Sequence, residues 1–345
     1  DTLQKQPQRI PPHRGVTRRM EGLLHPVSIG SLKLDGNVFL APLAGYTDRI
    51  FRSICLRHGA DLAYTEMVSS EGVARDSEKT VMLMERGEGE RNLAVQLFMP
   101  DADTAKRSIP GVMAYNPAMI DINAGCPVPK VVKTGAGSAL LKDPKKIRGI
   151  VSTLVENTGV PVTVKIRTGW DVDSVNYLET AQAAFDGGAS AVCMHARTRS
   201  QLYMPTADWS RLKDLKAHFP DKVIIGSGDL FCAQDGFGML EETGIDAIMF
   251  ARGAIGNPFV FEQAKAMMQG RQPYEPTIEE KKDAIMEHLH GLVGFLGENA
   301  ACREMRKHVC AYLKGIPNSA KVRQAATTAL TVNAYEDALA PLQLT

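Results

Sequence analysis

The sequence contains no pair of cysteines at C-x-x-C spacing. Its six, Cys55, Cys126, Cys193, Cys232, Cys302 and Cys310, stand far apart. That excludes a zinc ribbon, argues against a disulfide framework, and fits a reducing cytosol. No apolar run approaches the ~20 residues of a spanning helix, and no signal-peptide core follows the first residues. The chain is therefore expected to be cytoplasmic, with no membrane partner and no metal. Net charge is nearly absent: 40 Lys+Arg against 39 Asp+Glu leave +1. A nucleic-acid partner then requires basic residues concentrated on one face.

What is present fits a soluble globular protein. Hydrophobic residues make up 44% and charged residues 23% of 345 positions, enough for one large barrel and a smaller domain. Residues 1–19 are rich in proline and arginine without apolar periodicity, and disorder is expected there. Domain-like sequence begins at Met20, which reads as a start position ahead of the alternative, an Arg-rich transit peptide. The expected division is an extension over 1–20, a barrel over 21–270 and a helical domain over 271–345.

From Val38 short apolar runs alternate with amphipathic stretches. Expected strands are Val38–Ala41, Leu62–Thr65, Leu93–Leu97, Met119–Ile122, Val162–Ile166, Ala191–His195, Val223–Gly226 and Ala247–Phe250. Expected helices between them include Thr47–His58, Pro144–Asn157, Val175–Phe185, Trp209–Phe219 and Ala233–Thr243. Pro110-Gly111 interrupts the third helical stretch, so a short helix starting near Pro110 is expected. Eight strand–helix units predict an α/β fold, a (β/α)8 TIM barrel, followed by a small all-helical C-terminal domain.

A barrel of this kind carries its active site at the C-terminal ends of its strands. The residues there are Pro42-Leu43-Ala44, Glu66-Met67, Gln96, Asn123 with Cys126, Lys165 with Arg167, His195, Ser227-Gly228-Asp229 and Arg252-Gly253. A lone lysine or histidine is usually a solvated or packing residue, but this many polar groups on one rim mark a site. Glycines after the last two strands expose backbone N–H groups, and Arg252 offers a bidentate donor, a pattern suited to phosphate.

The stretch Asp121-Ile122-Asn123-Ala124-Gly125-Cys126-Pro127 is a buried strand running into a tight loop. Such a loop holds the Cys126 sulfur at the strand's open end. A free cysteine is more often a small buried hydrophobe. With its continuation, however, DINAGCPVPKVVKTGAGSALL resembles the signature of the tRNA-dihydrouridine synthases, closest to their bacterial B-type branch. The similarity runs from about Leu34 to about Leu330. It implies FMN, with phosphate and ribityl chain held by Ser227, Gly228, Asp229, Arg252 and Gly253. Pro42, Leu43 and Ala44 pass beside the flavin, Gln96 bonds its pyrimidine edge, and Lys165 and His195 lie near it. Serine at position 227 stands where the family usually has asparagine. The resemblance also implies hydride transfer to uracil C6, a proton from Cys126 to C5, Asn123 and Arg167 on the uracil carbonyls, and NADPH as reductant.

Beyond Gln272 strands cease. Ile278, Ile285, Leu289, Leu292 and Leu296 form one apolar helical stripe. Arg303 opens a basic span that includes Arg306, Lys307 and His308, then Lys314, Lys321 and Arg323, with one acid, Glu304. A solvated helix face is the plain reading, but local basicity is also what a phosphate backbone requires. The resemblance implies that this helical domain grips tRNA, with the protein a monomer. Two rivals stand beside it: a flavin barrel acting on a free pyrimidine, and an RNA-binding protein with a vestigial flavin site.

Overall fold

The protein is described from a computed structural model over residues 22–342; the disorder expected for residues 1–19 lies outside that range. A hairpin that the sequence reading did not anticipate comes first, β1 (Val27–Ile29) and β2 (Leu32–Leu34). Its Val27, Ile29 and Leu34 pack with inward-facing barrel residues such as Phe39, Leu62 and Met249, and so plug one end. The barrel strands are β3 (Val38–Leu40), β4 (Leu62–Tyr64), β6 (Leu93–Phe98), β7 (Met119–Ala124), β8 (Val162–Arg167), β9 (Ala191–His195), β10 (Val223–Ser227) and β11 (Ala247–Phe250). A two-residue strand β5 (Val68–Ser69) extends the edge of β6. All eight barrel strands are parallel, β11 pairs with β3 and β4 with β6, so the sheet closes.

The alternation of side chains divides the barrel into two cores. Val38, Leu40, Leu93, Val95, Ile120, Ile122, Val162 and Val164 face outward into the helices. The opposite parity faces inward: Phe39, Ala94, Met119, Ala191 and Ile225 deep in the barrel, and polar residues toward the C-terminal end. Register aligns those polar residues in layers. Gln96 pairs with Asp121 and Asp121 with Thr163; above them, Asn123 pairs with Lys165, Arg167 with His195, and His195 with Ser227.

Most expected helices form within one or two residues of their sequence bounds, and Gly159 and Gly244 end theirs in the left-handed conformation. The third helix is a correction. It spans Ala102–Met113 and does not start near Pro110. Asp101 caps it, its carboxylate accepting from the Thr104 N–H at 2.8 Å. That cap, worth about 1 kcal/mol, and the buried face of Thr104, Ala105, Ser108 and Val112 offset the bond lost at Pro110, which lies exposed near the end.

Beyond the barrel lie the helices Ile278–Leu296, Glu298–Tyr312, Ala320–Thr328 and Val332–Leu339. Thr277 starts the first with a capping box closed by Glu280. Ile285, Leu289 and Leu292 are buried in a separate apolar cluster, while Ile278 lies at its edge and Leu296 is exposed. This region docks on the barrel helix Arg49–Arg57 and on the loop after β11. A Cβ on Gly256 would lie 2.3 Å from the Ala311 carbonyl carbon, so backbone meets backbone there.

Candidate active site

The polar layers open into a cleft of about 720 Å³ at the C-terminal end of the barrel. Its lining includes Pro42, Leu43, Ala44, Gln96, Asn123, Cys126, Lys165, Arg167, His195, Ser227, Gly228, Asp229 and Arg252. These residues come from seven of the eight strand ends.

At the floor, Asp121 is fully enclosed. It accepts from Gln96 Nε2 at 2.7 Å and from Thr163 Oγ1 at 2.6 Å. Burial raises its pKa to about 6, against the lowering effect of those two donors and of Lys165. Asp121, the first residue of the motif, is the anchor of the layer above. Gln96 Oε1 in turn accepts from Asn123 Nδ2 at 2.9 Å. Asn123 is thereby oriented so that its Oδ1 takes the backbone N–H groups of Gly125 and Cys126 at 3.2 and 2.9 Å.

That side chain shapes the cysteine loop from one side. Ser138 clamps it from the other, donating from both N and Oγ to the Cys126 carbonyl at 3.0 and 2.9 Å. This accounts for the Gly-Ala-Gly-Ser run of the motif: a Cβ on Gly137 would fall 2.8 Å from that carbonyl oxygen. Cys126 itself is half-buried on the cleft wall. Burial raises its pKa, outweighing the Val128 N–H, Arg167 and Lys165, so its thiol is neutral near pH 7. Arg167 donates Nε to the Gly125 carbonyl at 3.0 Å and Nη1 to the carbonyls of Thr198 and Leu202, both at 2.9 Å. It thus ties the cysteine loop to the loop after β9, and burial lowers its pKa to about 10.

Across the cleft the field is positive. Burial lowers the His195 pKa, and Arg167, Lys165, Arg197 and Arg252 lower it further. Arg197 Nη1 lies 3.2 Å from His195 Nε2. A guanidinium only donates, so Nε2 accepts and the ring is neutral, with its proton on Nδ1. Arg197 was missed in the sequence. It lies two residues beyond His195, and that period-2 spacing from an inward-facing histidine was the available signal.

Asp229, at φ 57°, lies between two of these cations. It accepts from Arg197 Nη2 at 2.6 Å, from Arg252 Nη2 at 3.2 Å and from the Ala207 N–H at 2.8 Å. Arg252 is held between two exposed aromatic rings, Tyr203 at 4.4 Å and Phe231 at 4.9 Å. Where the loops after β10 and β11 cross, a Cβ on Gly253 would lie 2.3 Å from the Leu230 carbonyl oxygen. Gly253, expected at the site, is therefore buried in the contact between the two loops and does not line the cleft, whereas Arg252 beside it does and offers a donor to an anion.

The helical region contributes unevenly. Lys307 pairs with Glu304 and lies 5.3 Å from the ring of Tyr46, a cleft residue. Arg306 is partly buried, its Nε unpaired. His308 does not face solvent with them. It is fully buried against Phe51, Tyr46 and His288, because its position on the helix points into the seam with the barrel. It is withdrawn from the RNA-facing set.

Known proteins resemble this chain over most of its length. The model of the family described as Dihydrouridine synthase (Dus) matches residues 39–343. The chain belongs to the dihydrouridine synthase family. It is 42% identical over 309 residues to a "Probable tRNA-dihydrouridine synthase" of Treponema pallidum (strain Nichols), covering 86% of this chain and 90% of that protein. It is 38% identical to "tRNA-dihydrouridine synthase B" of Pasteurella multocida (strain Pm70), with coverage of 86% and 90%. Among solved structures, a 2-naphthoyl-CoA reductase complex shares the fold at a TM-score of 0.57 and 11% identity, covering 73% of this chain and 53% of that one. For this dihydrouridine synthase the barrel and the helical region after it are as expected. Among the described residues no helix is long and apolar enough to cross a membrane.

Proposed function

We propose that the protein reduces uridines in tRNA to 5,6-dihydrouridine in the cytoplasm, with FMN as cofactor and NADPH as reductant. The observation that carries this reading is Cys126: a neutral thiol at the cleft wall, on a loop held by Asn123, Ser138 and Arg167.

The residues present fit FMN. Arg252, Asp229, Gly228 and Ser227 line one side of the cleft and would hold the phosphate and ribityl chain, with Gly253 buried behind them where the two loops pack together. Pro42, Leu43 and Ala44 would flank the ring, and Gln96, Lys165 and His195 would meet its polar edge. Gln96 gives one N–H to Asp121 and keeps a second for this purpose. Reduced FMN, when bound, supplies hydride to uracil C6.

The chain's own groups do the rest. Uracil C5 gains negative charge as C6 is reduced, and Cys126 Sγ donates the proton that C5 needs. A thiolate cannot donate, so the raised pKa of Cys126 keeps the acid loaded. Asn123 and the Nη2 group of Arg167, free of the carbonyls that occupy Nε and Nη1, would polarise the uracil carbonyls. The target base must leave its stack to enter the cleft. Lys307, beside the cleft residue Tyr46, and Arg306, one position before it on the helix, would take the phosphate backbone.

The test is conversion of an unmodified tRNA transcript by FMN-loaded protein and NADPH, read as a gain of two hydrogens on a mapped uridine. Reduction of a free pyrimidine base with no product in tRNA would overturn the reading.

A further inference from the structure

At the seam between barrel and helical region the interior is polar in a way packing does not explain. His288, on helix Ile278–Leu296, and His308, on helix Glu298–Tyr312, are both fully buried. Their ring centroids are 4.3 Å apart, tilted by 57°. Three of the four ring nitrogens, His288 Nε2 and both of His308, have no hydrogen-bond partner. The fourth, His288 Nδ1, meets Tyr312 Oη only at 3.5 Å. A buried polar atom left unpaired costs about 1–3 kcal/mol, and native interiors hold few of them. Each neutral ring carries one N–H and one lone pair, so the two rings bring two lone pairs to one spot with nothing well placed to take them.

Asp48 completes the group. It caps helix Arg49–Arg57 through Oδ1, which accepts from the N–H groups of Ile50 and Phe51 at 2.8 and 3.0 Å. Its second oxygen is not used by the cap. One donor atom from each of Asp48, His288 and His308 lies within 4.8 Å of the other two.

We propose that Asp48, His288 and His308 form a binding site for a divalent transition-metal cation, with Zn2+ the best match to the donors. Two imidazoles and a carboxylate, with water in the fourth position, make a common zinc set at ligand distances of about 2.0–2.2 Å. Calcium and magnesium prefer oxygen donors throughout, which two nitrogens out of three do not offer. Lys307, the neighbouring cation, is paired with Glu304. The site joins the helix that follows the cleft-lining loop to two helices of the C-terminal region. Tyr46 of that loop packs edge-on against His308 at 5.3 Å. A cation here would clamp the helical region to the loop beside the cleft, and its binding needs neither flavin nor RNA.

The experiment uses the full chain with Cys232→Ser and Cys310→Ser, which removes the two exposed thiols that could take metal. The protein is stripped with a chelator, then titrated with Zn2+ against a competing indicator and, separately, with Co2+ as a visible-absorption probe. One Zn2+ per chain is expected, with a Co2+ spectrum of nitrogen and oxygen ligands and a thermal midpoint that rises with Zn2+. Asp48→Asn keeps an oxygen for the helix cap. It should weaken Zn2+ binding roughly 100-fold or more, since outer partners of a metal site alone are worth about 10–100-fold. His288→Gln should do the same; if it fails to fold, Asp48→Asn still decides. Absence of saturable binding would mean that water fills the gap and would overturn the proposal. So would unchanged affinity in Asp48→Asn.

Discussion

Cys126 and Asp121 illustrate how burial alone assigns opposite duties to two acids in one motif. Both have raised pKa values, and desolvation is the largest cause for each. For the thiol this keeps the proton on. Cys126→Ala should leave flavin reduction by NADPH nearly normal and slow tRNA reduction by a factor on the order of 10²–10⁴, the usual worth of a positioned general acid. Stopped-flow measurement of both half-reactions checks this; equal slowing of both would exclude the proton-donor role. For Asp121 the raised pKa has a stability consequence. Below its ordinary 3.8 both folded and unfolded states hold the proton, so burial costs nothing there. The cost grows as pH rises toward about 6 and is constant above that. The stability of wild type relative to Asp121→Asn should therefore fall between pH 4 and about 6 and then level off. Urea titrations across that range test it, and a difference already flat at pH 4 would contradict it.

Two loops form the side of the cleft proposed to hold the phosphate, and they are linked as a pair. The loop after β10 supplies Gly228 and Asp229, and the loop after β11 supplies Arg252 and Gly253. Asp229 orients Arg252, Tyr203 and Phe231 sandwich it, and the bare backbone at Gly253 lets the two loops touch. Arg252→Ala should weaken FMN binding by about 2–3 kcal/mol, the scale of a hydrogen bond to a charged group. Equilibrium fluorescence titration of the stripped protein with FMN measures it, and affinity equal to wild type would move the phosphate elsewhere.

The molecule as a whole is a barrel and a helical region with separate apolar cores, joined at one seam beside the cleft. That geometry sets Lys307 near the ring of Tyr46, so a helix face and the barrel rim adjoin where RNA contact is proposed. Replacing Arg306 and Lys307 together by alanine should raise the tRNA Kd and flatten its salt slope by up to about two phosphate contacts. NADPH oxidation by oxygen should be unaffected. A filter-binding series in salt reads the slope, and an unchanged one would leave these residues as a solvated face only.

The sequence by itself determined the barrel and the position of its active-site rim. Strand alternation has a period of two, and the glycines and capping residues that break it are local signals, so the eight barrel strands and the loops after β7, β10 and β11 were readable, while the short β5 was not. The motif around Cys126 was also local, because Asn123, Gly125, Cys126 and Ser138 close their hydrogen bonds within sixteen positions of the chain. Propensity misled only where a cap and a buried face outweighed a proline, in Ala102–Met113. Tertiary structure alone decided the rest. His308 reads as part of a basic run with Arg306 and Lys307, yet the turn of its helix buries it while its neighbours stay partly exposed. Arg197 is joined to the cleft by its contacts with His195 and with Asp229, and Asp229 follows the next strand. Asp48, His288 and His308 are scattered along the chain, and no spacing rule joins them. What brings them together is the docking of two helices on a third, driven by apolar contacts that carry no trace of the polar group enclosed among them.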